Sequence, residues 1–550
     1  MPRITIDDRP VEVPSGATVL DAARQLGIDI PTLCYLEGYR ASTSCQVCVV
    51  KLVDSGRIVP ACGTPAADGL RVASETPEVH RLRRTALELL LSDHVGDCIA
   101  PCVFACPAHM DVPQMLRQIG NEDLHQAIAT IKEDIALPAT LGRVCPKPCE
   151  KGCRRQAADG PVEVCDLKRL VADRDLASGE PYVPPCAADS GRRVAVIGAG
   201  PTGLAAVFHL RRVGHAVTLF EAREQPGGRL RDEFTEDQLP RKTLEAEIGV
   251  IFRLGVELRT GTRVGREVPF ETVMAQFDAV LVAMGTVDKA EAQGWGLTVG
   301  GRGIEVCAGT YQTNLKSVFA AGKALRGKNL VVRSVADGKE AAAAISQYLA
   351  GRPITPVQRP FSSRMGKIQA GEMPELLACA ADLPRRDEAS YTVEGISTHE
   401  AADQAHRCLA CGCAAHGNCR LEHYAALYGA EPGRFQGGRR AFVLVNRGGS
   451  VQYEPGKCIN CELCIQIAAE SQQALGLTFV GRGFDVRVGV PFHGTMDEAL
   501  GPLAAKCIAA CPTGALHFSP ARELVPLQNL NQKKVSGTLA VPPPFPEHGS

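Results

Sequence analysis

The sequence predicts a multidomain chain of α/β and α+β parts, and three observations carry that expectation. Its 550 residues are too many for one hydrophobic core and enough for three to five domains. A strand, glycine turn, helix and second strand follow one another in "RRVAVIGAGPTGLAAVFHLRRVGHAVTLFE", the order of a βαβ unit. Of 23 cysteines, all but Cys186, Cys307 and Cys379 fall into four clusters, at 34–62, 98–165, 408–419 and 458–511.

Charge is balanced, with 60 Lys plus Arg against 61 Asp plus Glu, so neither a nucleic acid nor an anionic membrane is an expected partner. No basic start precedes an apolar run, and no stretch approaches the roughly 18 apolar residues of a membrane span. The expectation is a soluble cytoplasmic protein without membrane insertion. In a reducing compartment, clustered thiols argue for metal or redox chemistry rather than disulfides. The three isolated cysteines read as small ordinary residues.

From the N-terminus, "RITIDDRPVEV" alternates as strand, turn and strand, and "TVLDAARQLG" reads as a short helix, so 1–75 is a small β-rich domain. Residues 76–185 turn helical, with "EVHRLRRTALELLLSDH" amphipathic, cysteine-rich loops next and "VCDLKRLVADRDL" last. The Pro- and Gly-rich "SGEPYVPPCAADSG" is a linker. The α/β region spans 190–352, a Pro-containing connector 353–400, and a cysteine-rich segment 401–430. A compact 431–520 region and a tail at 521–550, ending "VPPPFPEHGS", complete the chain.

Cys34, Cys45, Cys48 and Cys62 are spaced C-x10-C-x2-C-x13-C. Three thiolates in a loop and a distant fourth suit a two-iron cluster. Zinc competes, although structural zinc usually takes two short C-x2–4-C knuckles and only one is present. Through "IPTLCYLEG" and "CQVCVV" this region resembles the [2Fe-2S] domain that opens the large iron–sulfur subunit of complex I and iron-only hydrogenases. The resemblance implies a β-grasp ferredoxin fold. Ser44 and Gln46 stand where that family has Gly and Arg.

In "DCIAPCVFACP", Cys98, Cys102 and Cys106 lie four apart, but Pro101 and Pro107 oppose a continuous helix. "GRVCPKPCEKGC" adds Cys145, Cys149 and Cys153, and Cys165 follows. Seven thiols are one short of the eight that two four-iron cubanes require, and His94 is the natural eighth. Residues 94–176 resemble the N-terminal double-cluster domain of the glutamate synthase small subunit and dihydropyrimidine dehydrogenase, through "PCVFACPAHMDVP", "LPATLGRVCPKPCEKGCRR" and "PVEVCDLKRLVAD". The resemblance implies a helical domain with one [4Fe-4S] cluster on Cys98, Cys102 and Cys153 and another on Cys106, Cys145 and Cys149. "LLLSDHVGDC" also resembles the complex I subunit, in which a His just ahead of a Cys ligates a four-iron cluster, so His94 completes the first cubane or else caps a helix. Cys165 completes the second.

In the βαβ unit, Gly198 makes the tight turn, Gly200 admits a pyrophosphate, and Gly203 lets helix pack on strand. Pro201 and Thr202 open the helix, and Glu221 ends the second strand where ribose hydroxyls bind. The fingerprint alone does not choose between FAD and NAD. "QPGGRL" (Gly228, Arg229), "FDAVLVAMGT" (Gly285) and "LKSVFAAGKAL" (Gly322, Lys323) resemble, in order, the Rossmann-like FAD domain of the glutamate synthase small-subunit family, which implies FAD. Lys323 stands where that family has the Asp that binds the ribityl chain. That family also carries an NADPH domain between the second and third segments. Here 36 residues separate Gly285 from Gly322, a βαβ half alone needs roughly 30, and no second GxGxxG follows. A separate nicotinamide domain does not fit.

"RCLACGCAAHGNC" supplies Cys408, Cys411, Cys413 and Cys419 for a four-iron cluster or zinc. "KCINCELC" and "KCIAACPTGAL" resemble a bacterial ferredoxin with two cysteine runs. Ala468, Gly501 and Ala504 stand where three of its cysteines belong, so one cubane survives on Cys458, Cys461, Cys464 and Cys511, with Cys507 a free thiol.

The expected cofactors are one FAD, one [2Fe-2S] and three to four [4Fe-4S] clusters. Flavin exchanges paired and single electrons. No Ser-His-Asp set or H-E-x-x-H motif is present, so no residue is assigned a catalytic role. The chain is expected to be an electron-transfer subunit of a larger oxidoreductase. Redox partners of complex I flavin-subunit, hydrogenase or formate dehydrogenase type are expected by resemblance only. The alternatives are a self-contained NAD(P)H-linked flavin reductase and an electron wire with an empty flavin pocket.

Overall fold

The computed structural model describes residues 1–519 apart from 328, 358–359, 388–389, 394, 436 and 471–474. The tail expected at 521–550 lies outside the described residues. The chain divides into two bodies. The first comprises Met1–Val443, Gly456–Cys461 and Pro512–Gly514, and the second Leu444–Pro455, Glu462–Cys511 and the residues from Ala515 on.

In the first body, β1 (Arg3–Ile6) and β2 (Arg9–Glu12) form an antiparallel hairpin. Its two turn residues, Asp7 and Asp8, both take positive φ, which matches the right-handed twist of the strands. Helix α1 (Val19–Gln25) carries a Thr18/Asp21 capping box. Strands β3 (Val49–Leu52), β4 (Ile58–Pro60) and β5 (Arg71–Ala73) complete a five-stranded sheet ordered β2-β1-β5-β3-β4. Ile4, Ile6, Leu20 and Val50 are buried between this sheet and α1.

Helices α2 (Pro77–Leu91), α3 (Pro101–Ala105), α4 (Val112–Gly120), α5 (Leu124–Asp134), α6 (Pro138–Val144), α7 (Pro148–Lys151) and α8 (Val164–Ala177) follow. Pro stands in the first turn of α2, α3, α4, α6 and α7, where its missing N–H costs nothing. Prolines thus break this region into short helices whose ends present cysteines.

The α/β region has β6 (Arg193–Ile197), α9 (Pro201–Arg212), β7 (Ala216–Phe220), α10 (Arg229–Asp232), α11 (Arg241–Phe252), β8 (Glu257–Arg259), α12 (Phe270–Gln276) and β9 (Ala279–Val282). It continues with α13 (Lys289–Gly294), β10 (Val318–Ala320), α14 (Lys323–Arg326) and α15 (Val331–Leu349). The sheet is parallel throughout and ordered β10-β9-β6-β7-β8. Its order reverses beside β6, and in such sheets ligands bind at the carboxyl ends of the strands next to that switch. Helix α15 crosses α9 closely: a Cβ on Gly338 would lie 2.3 Å from the Thr202 carbonyl oxygen. One apolar core joins the helical and α/β regions, from Met115 and Leu167 to Phe208 and Leu281. Glu247 of α11 reinforces the join by accepting from the Ala139 (2.5 Å) and Thr140 (2.7 Å) amides at the start of α6.

The expected connector at 353–400 contains α16 (Glu372–Leu377) and the start of α17 (Thr398–Ala405); α18 (Arg420–Leu427) follows. Arg407, fully buried, pairs at 3.1 Å with the equally buried Glu163 and donates to the Leu383 carbonyl. Burial pushes the Glu163 carboxyl up against the opposing pull of Arg407 and Arg385. Removing Arg407 leaves the buried Glu163 with Arg385 alone, at 2.8 Å, and leaves the Leu383 carbonyl without its donor, so Arg407→Met should cost about 3 kcal/mol. Calorimetry of the iron-loaded protein should show a lowered melting temperature.

The second body holds β11 (Val451–Tyr453), α19 (Leu463–Ala468), β12 (Thr478–Val480), β13 (Arg487–Gly489), α20 (Met496–Leu500), α21 (Ala504–Ala510) and β14 (Leu516–Phe518). Strands β11 and β14 pair antiparallel, as do β12 and β13. Asp497 of α20 accepts from the Ser450 amide (3.1 Å) and the Asn446 side chain (2.7 Å), which fixes the approach to β11. Among the described residues, no helix is long and apolar enough to cross a membrane.

Candidate cofactor sites

Cys34, Cys45, Cys48 and Cys62 converge on one end of the N-terminal sheet. Cys48 directly precedes β3, and Cys62 lies two residues beyond β4. Thr43 and Gln46, both at φ 54°, fold the intervening loop tightly. The sulfurs form two pairs, Cys34–Cys45 at 3.3 Å and Cys48–Cys62 at 3.4 Å. The bond from Cys45, with a second from Cys62, drives the Cys34 thiol down to about 2, and the bond from Cys62 lowers Cys48. In each pair one thiol is thus favoured toward the thiolate form that binds metal. Two pairs of sulfurs fit two irons with two protein ligands each.

A second set gathers at the ends of the short helices. Cys106 and Cys145 are the residues that end α3 and α6, Cys149 lies in α7, and Cys165 in the first turn of α8. Bonds from Cys145 and then Cys149 hold Cys165 well below the ordinary thiol value, while Cys145 and Cys149 are correspondingly raised. Cys106 joins them through its electrostatic contact with Cys149. This grouping unites the sequence-derived trio Cys106, Cys145 and Cys149 with Cys165.

The other sulfurs are arranged differently from the sequence expectation, in which Cys98 joins Cys102 and Cys153 while Cys408, Cys411, Cys413 and Cys419 form a set of their own. Burial raises Cys102, and the next causes are the neighbouring Cys408, Cys411 and Cys153. Burial also raises Cys411, next to Cys408 and Cys153. Cys98 lies elsewhere. Its carbonyl accepts from the Cys413 amide at 3.2 Å, and its thiol meets the hydroxyl (3.3 Å) and amide (3.4 Å) of Ser363. Burial pushes Cys419 up to about 12, with Cys413 and Cys98 among the further causes.

The reason for the exchange lies in the backbone. Gly412 makes a parallel bridge with Asp97. The Cys413 amide, just after the bridge, bonds the Cys98 carbonyl, while Cys411, just before it, shares its surroundings with Cys408 and Cys153. Gly514 leaves room for the second group, since a Cβ there would lie 2.3 Å from the Cys413 sulfur. The odd thiol count in 98–165 is the sequence signal for this exchange.

Cys458 and Cys461 belong to the first body, and Cys464 and Cys511 to the second. Cys507, buried in α21, donates its thiol to the Cys464 carbonyl at 3.8 Å, and burial pushes it up to about 11.

The dinucleotide residues meet at the switch point of the α/β sheet. Gly198, at φ 103°, has no room for a Cβ, which would lie 2.6 Å from the Met284 Cα; a Cβ on Gly203 would lie 1.9 Å from the Gly198 carbonyl oxygen. A Cβ on Gly200 would meet nothing within 4 Å. That open space lies at the start of α9, which opens with Pro201 and has no side-chain cap, so its free amides suit a pyrophosphate. Glu221 accepts from the Ala199 (2.7 Å) and Arg223 (3.0 Å) amides beneath the glycine loop.

Gly228, at φ 50°, lies against Gly200, and Gly322, at φ 71°, against Thr202. Arg229 donates to the Asn329 carbonyl at 2.6 Å. Gly285, at φ 85°, lies just beyond β9. Lys323 pairs at 2.8 Å with Glu233, which also holds Arg229. The residues present fit a dinucleotide. When bound, FAD supplies the exchange between paired and single electrons.

Family comparison matches residues 2–77 to a 2Fe-2S iron–sulfur cluster binding domain and 93–180 to dihydropyrimidine dehydrogenase domain II, 4Fe-4S cluster. Residues 160–338 match a pyridine nucleotide-disulphide oxidoreductase domain. The NADP(+)-dependent formate dehydrogenase subunit beta of Moorella thermoacetica is 38% identical over 207 residues, 34% of this chain and 29% of that protein. The NAD-dependent dihydropyrimidine dehydrogenase subunit PreT of Escherichia coli K12 is 39% identical over 188 residues, 34% of this chain and 45% of that protein. The NADPH-Fe(3+) oxidoreductase subunit beta of Geobacter sulfurreducens is 34% identical over 189 residues, 34% of this chain and 28% of that protein. The chain spans under half the length of these curated relatives. Together the three matched domains are those of an FAD iron–sulfur oxidoreductase with mixed α/β content.

Proposed function

We propose that this chain is the electron-transfer subunit of a multi-subunit oxidoreductase, relaying electrons between FAD and a set of iron–sulfur clusters while partner subunits supply the nicotinamide or other terminal sites. The observation that carries this reading is the connection between β9 and β10. It spans residues 283–317, is described throughout, and contains a single helix, α13, where a flavin reductase with its own nicotinamide domain needs a second dinucleotide fold. A flavin that receives no hydride from within its own chain exchanges electrons with clusters or partners.

The proposed ligand sets follow the sulfur groups. Cys34, Cys45, Cys48 and Cys62 hold a [2Fe-2S] cluster in a β-grasp domain. Cys102, Cys153, Cys408 and Cys411 hold one cubane, and Cys106, Cys145, Cys149 and Cys165 another. Cys98, Cys413 and Cys419, with His94 as the fourth ligand, hold a third. Cys458, Cys461, Cys464 and Cys511 are the ligands that the ferredoxin-type motif assigns to a fourth. FAD binds at the Rossmann-type sheet through Gly198, Gly200, Gly203 and Glu221. The relatives named above are subunits, one of them of a formate dehydrogenase, which supports a multi-subunit redox assembly as the setting.

The test is anaerobic mixing of the purified chain with NADH or NADPH. The flavin band at about 450 nm should stay oxidised with either nucleotide and bleach with dithionite or on addition of a co-purified partner. Rapid bleaching by one equivalent of NADPH without any partner would overturn the subunit reading in favour of a self-contained reductase.

A further inference from the structure

A lysine side chain is rarely buried without an anion beside it. Lys168, in α8, is 3% exposed. It lies three residues beyond Cys165, on the same face of the helix. The nearby carboxylate of Asp166 is engaged by Lys147 at 2.9 Å and Arg169 at 3.7 Å. Among the described residues, Lys168 is paired with no carboxylate. The opposite charges that face it are sulfurs. Cys165, Cys145, Cys149 and Cys106, the four sulfurs of one group, are the side chains whose negative charge would favour the buried ammonium.

We propose that Lys168 is the buried counter-cation of the cubane held by Cys106, Cys145, Cys149 and Cys165, and that its positive charge raises the reduction potential of that cluster. The inference rests on the cluster reading above and goes beyond it by giving this cluster a place in the electron route. Reduction adds one electron, and with it one negative charge, beside a fixed cation in a low-dielectric setting, so the reduced state gains more than the oxidised state. No bond forms or breaks in that step. Helix α6, which ends at Cys145, is held at its other end by Glu247 of the α/β region. The cluster that Lys168 favours is therefore the one whose cage is tied to the flavin-type sheet, and it is suited to be the first acceptor of single electrons leaving the flavin.

The experiment is an EPR-monitored redox titration of the full iron-loaded chain, with the signal of this cluster identified by its loss in Cys165→Ser. In Lys168→Gln, at the solution potential that half-reduces the cluster in the unsubstituted protein, the reduced-to-oxidised ratio should fall roughly tenfold or more, with iron content unchanged. Lys168→Arg, which keeps the charge, should titrate with the unsubstituted protein. If Lys168→Gln loses the cluster while Lys168→Arg keeps it, the requirement for a cation is met more strongly still. An unshifted Lys168→Gln with full iron would overturn the proposal, as would an arginine variant that shifts or loses the cluster as the glutamine variant does. Absence of the signal from the unsubstituted protein would count against the cubane itself, an outcome distinct from a failed charge effect.

Discussion

Cys411→Ser and Cys413→Ser should remove two different clusters, although a single glycine separates the two residues. The bridge between Gly412 and Asp97 brings this stretch alongside Asp97 and Cys98. Cys411 then shares its surroundings with Cys408 and Cys153, whereas the Cys413 amide is bonded to the Cys98 carbonyl. Each single replacement should cost about four iron atoms per chain and one EPR signal. The informative results come from pairs. Cys411→Ser with Cys153→Ser should lose no more iron than either alone, because both empty one cage, and so should Cys413→Ser with Cys98→Ser. Cys411→Ser with Cys98→Ser should lose about eight. If instead Cys98 and Cys153 prove to belong to one cluster, so that their double replacement costs only one, the grouping is wrong and the motif-based set is restored. Such non-additivity within a group and additivity between groups is the double-mutant criterion for a shared site.

What the sequence reveals and what it hides follow from the range of each signal. The glycines of the βαβ unit are legible because each answers to a contact within some ninety residues of chain: Gly203 against the Gly198 carbonyl, Gly198 against Met284. The N-terminal sulfur set is legible for the same reason, since all four of its members fall between residues 34 and 62. The partition of the remaining cysteines is not, because it depends on where the chain returns after the α/β region. Cys408 and Cys411 come back to Cys102 and Cys153 after more than 250 residues, and no local spacing records that return. A connector with few sequence features also acquires a role only in three dimensions, for Ser363 brings its hydroxyl and amide to the Cys98 sulfur. Amide bonds to cluster sulfurs are among the features that set reduction potential, so a segment that reads as a spacer would tune the cluster proposed on Cys98. Lys168 is hidden in a different way: its helix is plain from the sequence, but only the folded chain shows that it is buried among cysteine sulfurs.

Gly200→Val should abolish flavin binding while sparing the fold, and Gly203→Ala should do the reverse in order, damaging the fold first and the flavin with it. Gly200 has φ −80° and ψ −177°, extended backbone that valine adopts readily, and its Cβ direction opens into space with no protein atom within 4 Å. The valine Cβ meets no protein, and the branches beyond it occupy the volume that a pyrophosphate needs at the uncapped end of α9. Flavin retained after desalting should fall by at least about tenfold, equivalent to some 1.4 kcal/mol of lost affinity, with circular dichroism and iron content unchanged. At Gly203 the new methyl would collide with the Gly198 carbonyl oxygen at 1.9 Å. Backbone has to move to relieve that contact, at a cost of about 1–3 kcal/mol, which appears as a lowered melting temperature even in flavin-free protein. A Gly200→Val protein that keeps its full flavin would show that the dinucleotide lies elsewhere than over the glycine loop, and the wire with an empty pocket would then be the better account of the α/β region. The two glycines, three residues apart, thus separate binding from folding: one is required by what the loop must hold, the other by what the loop must pack against.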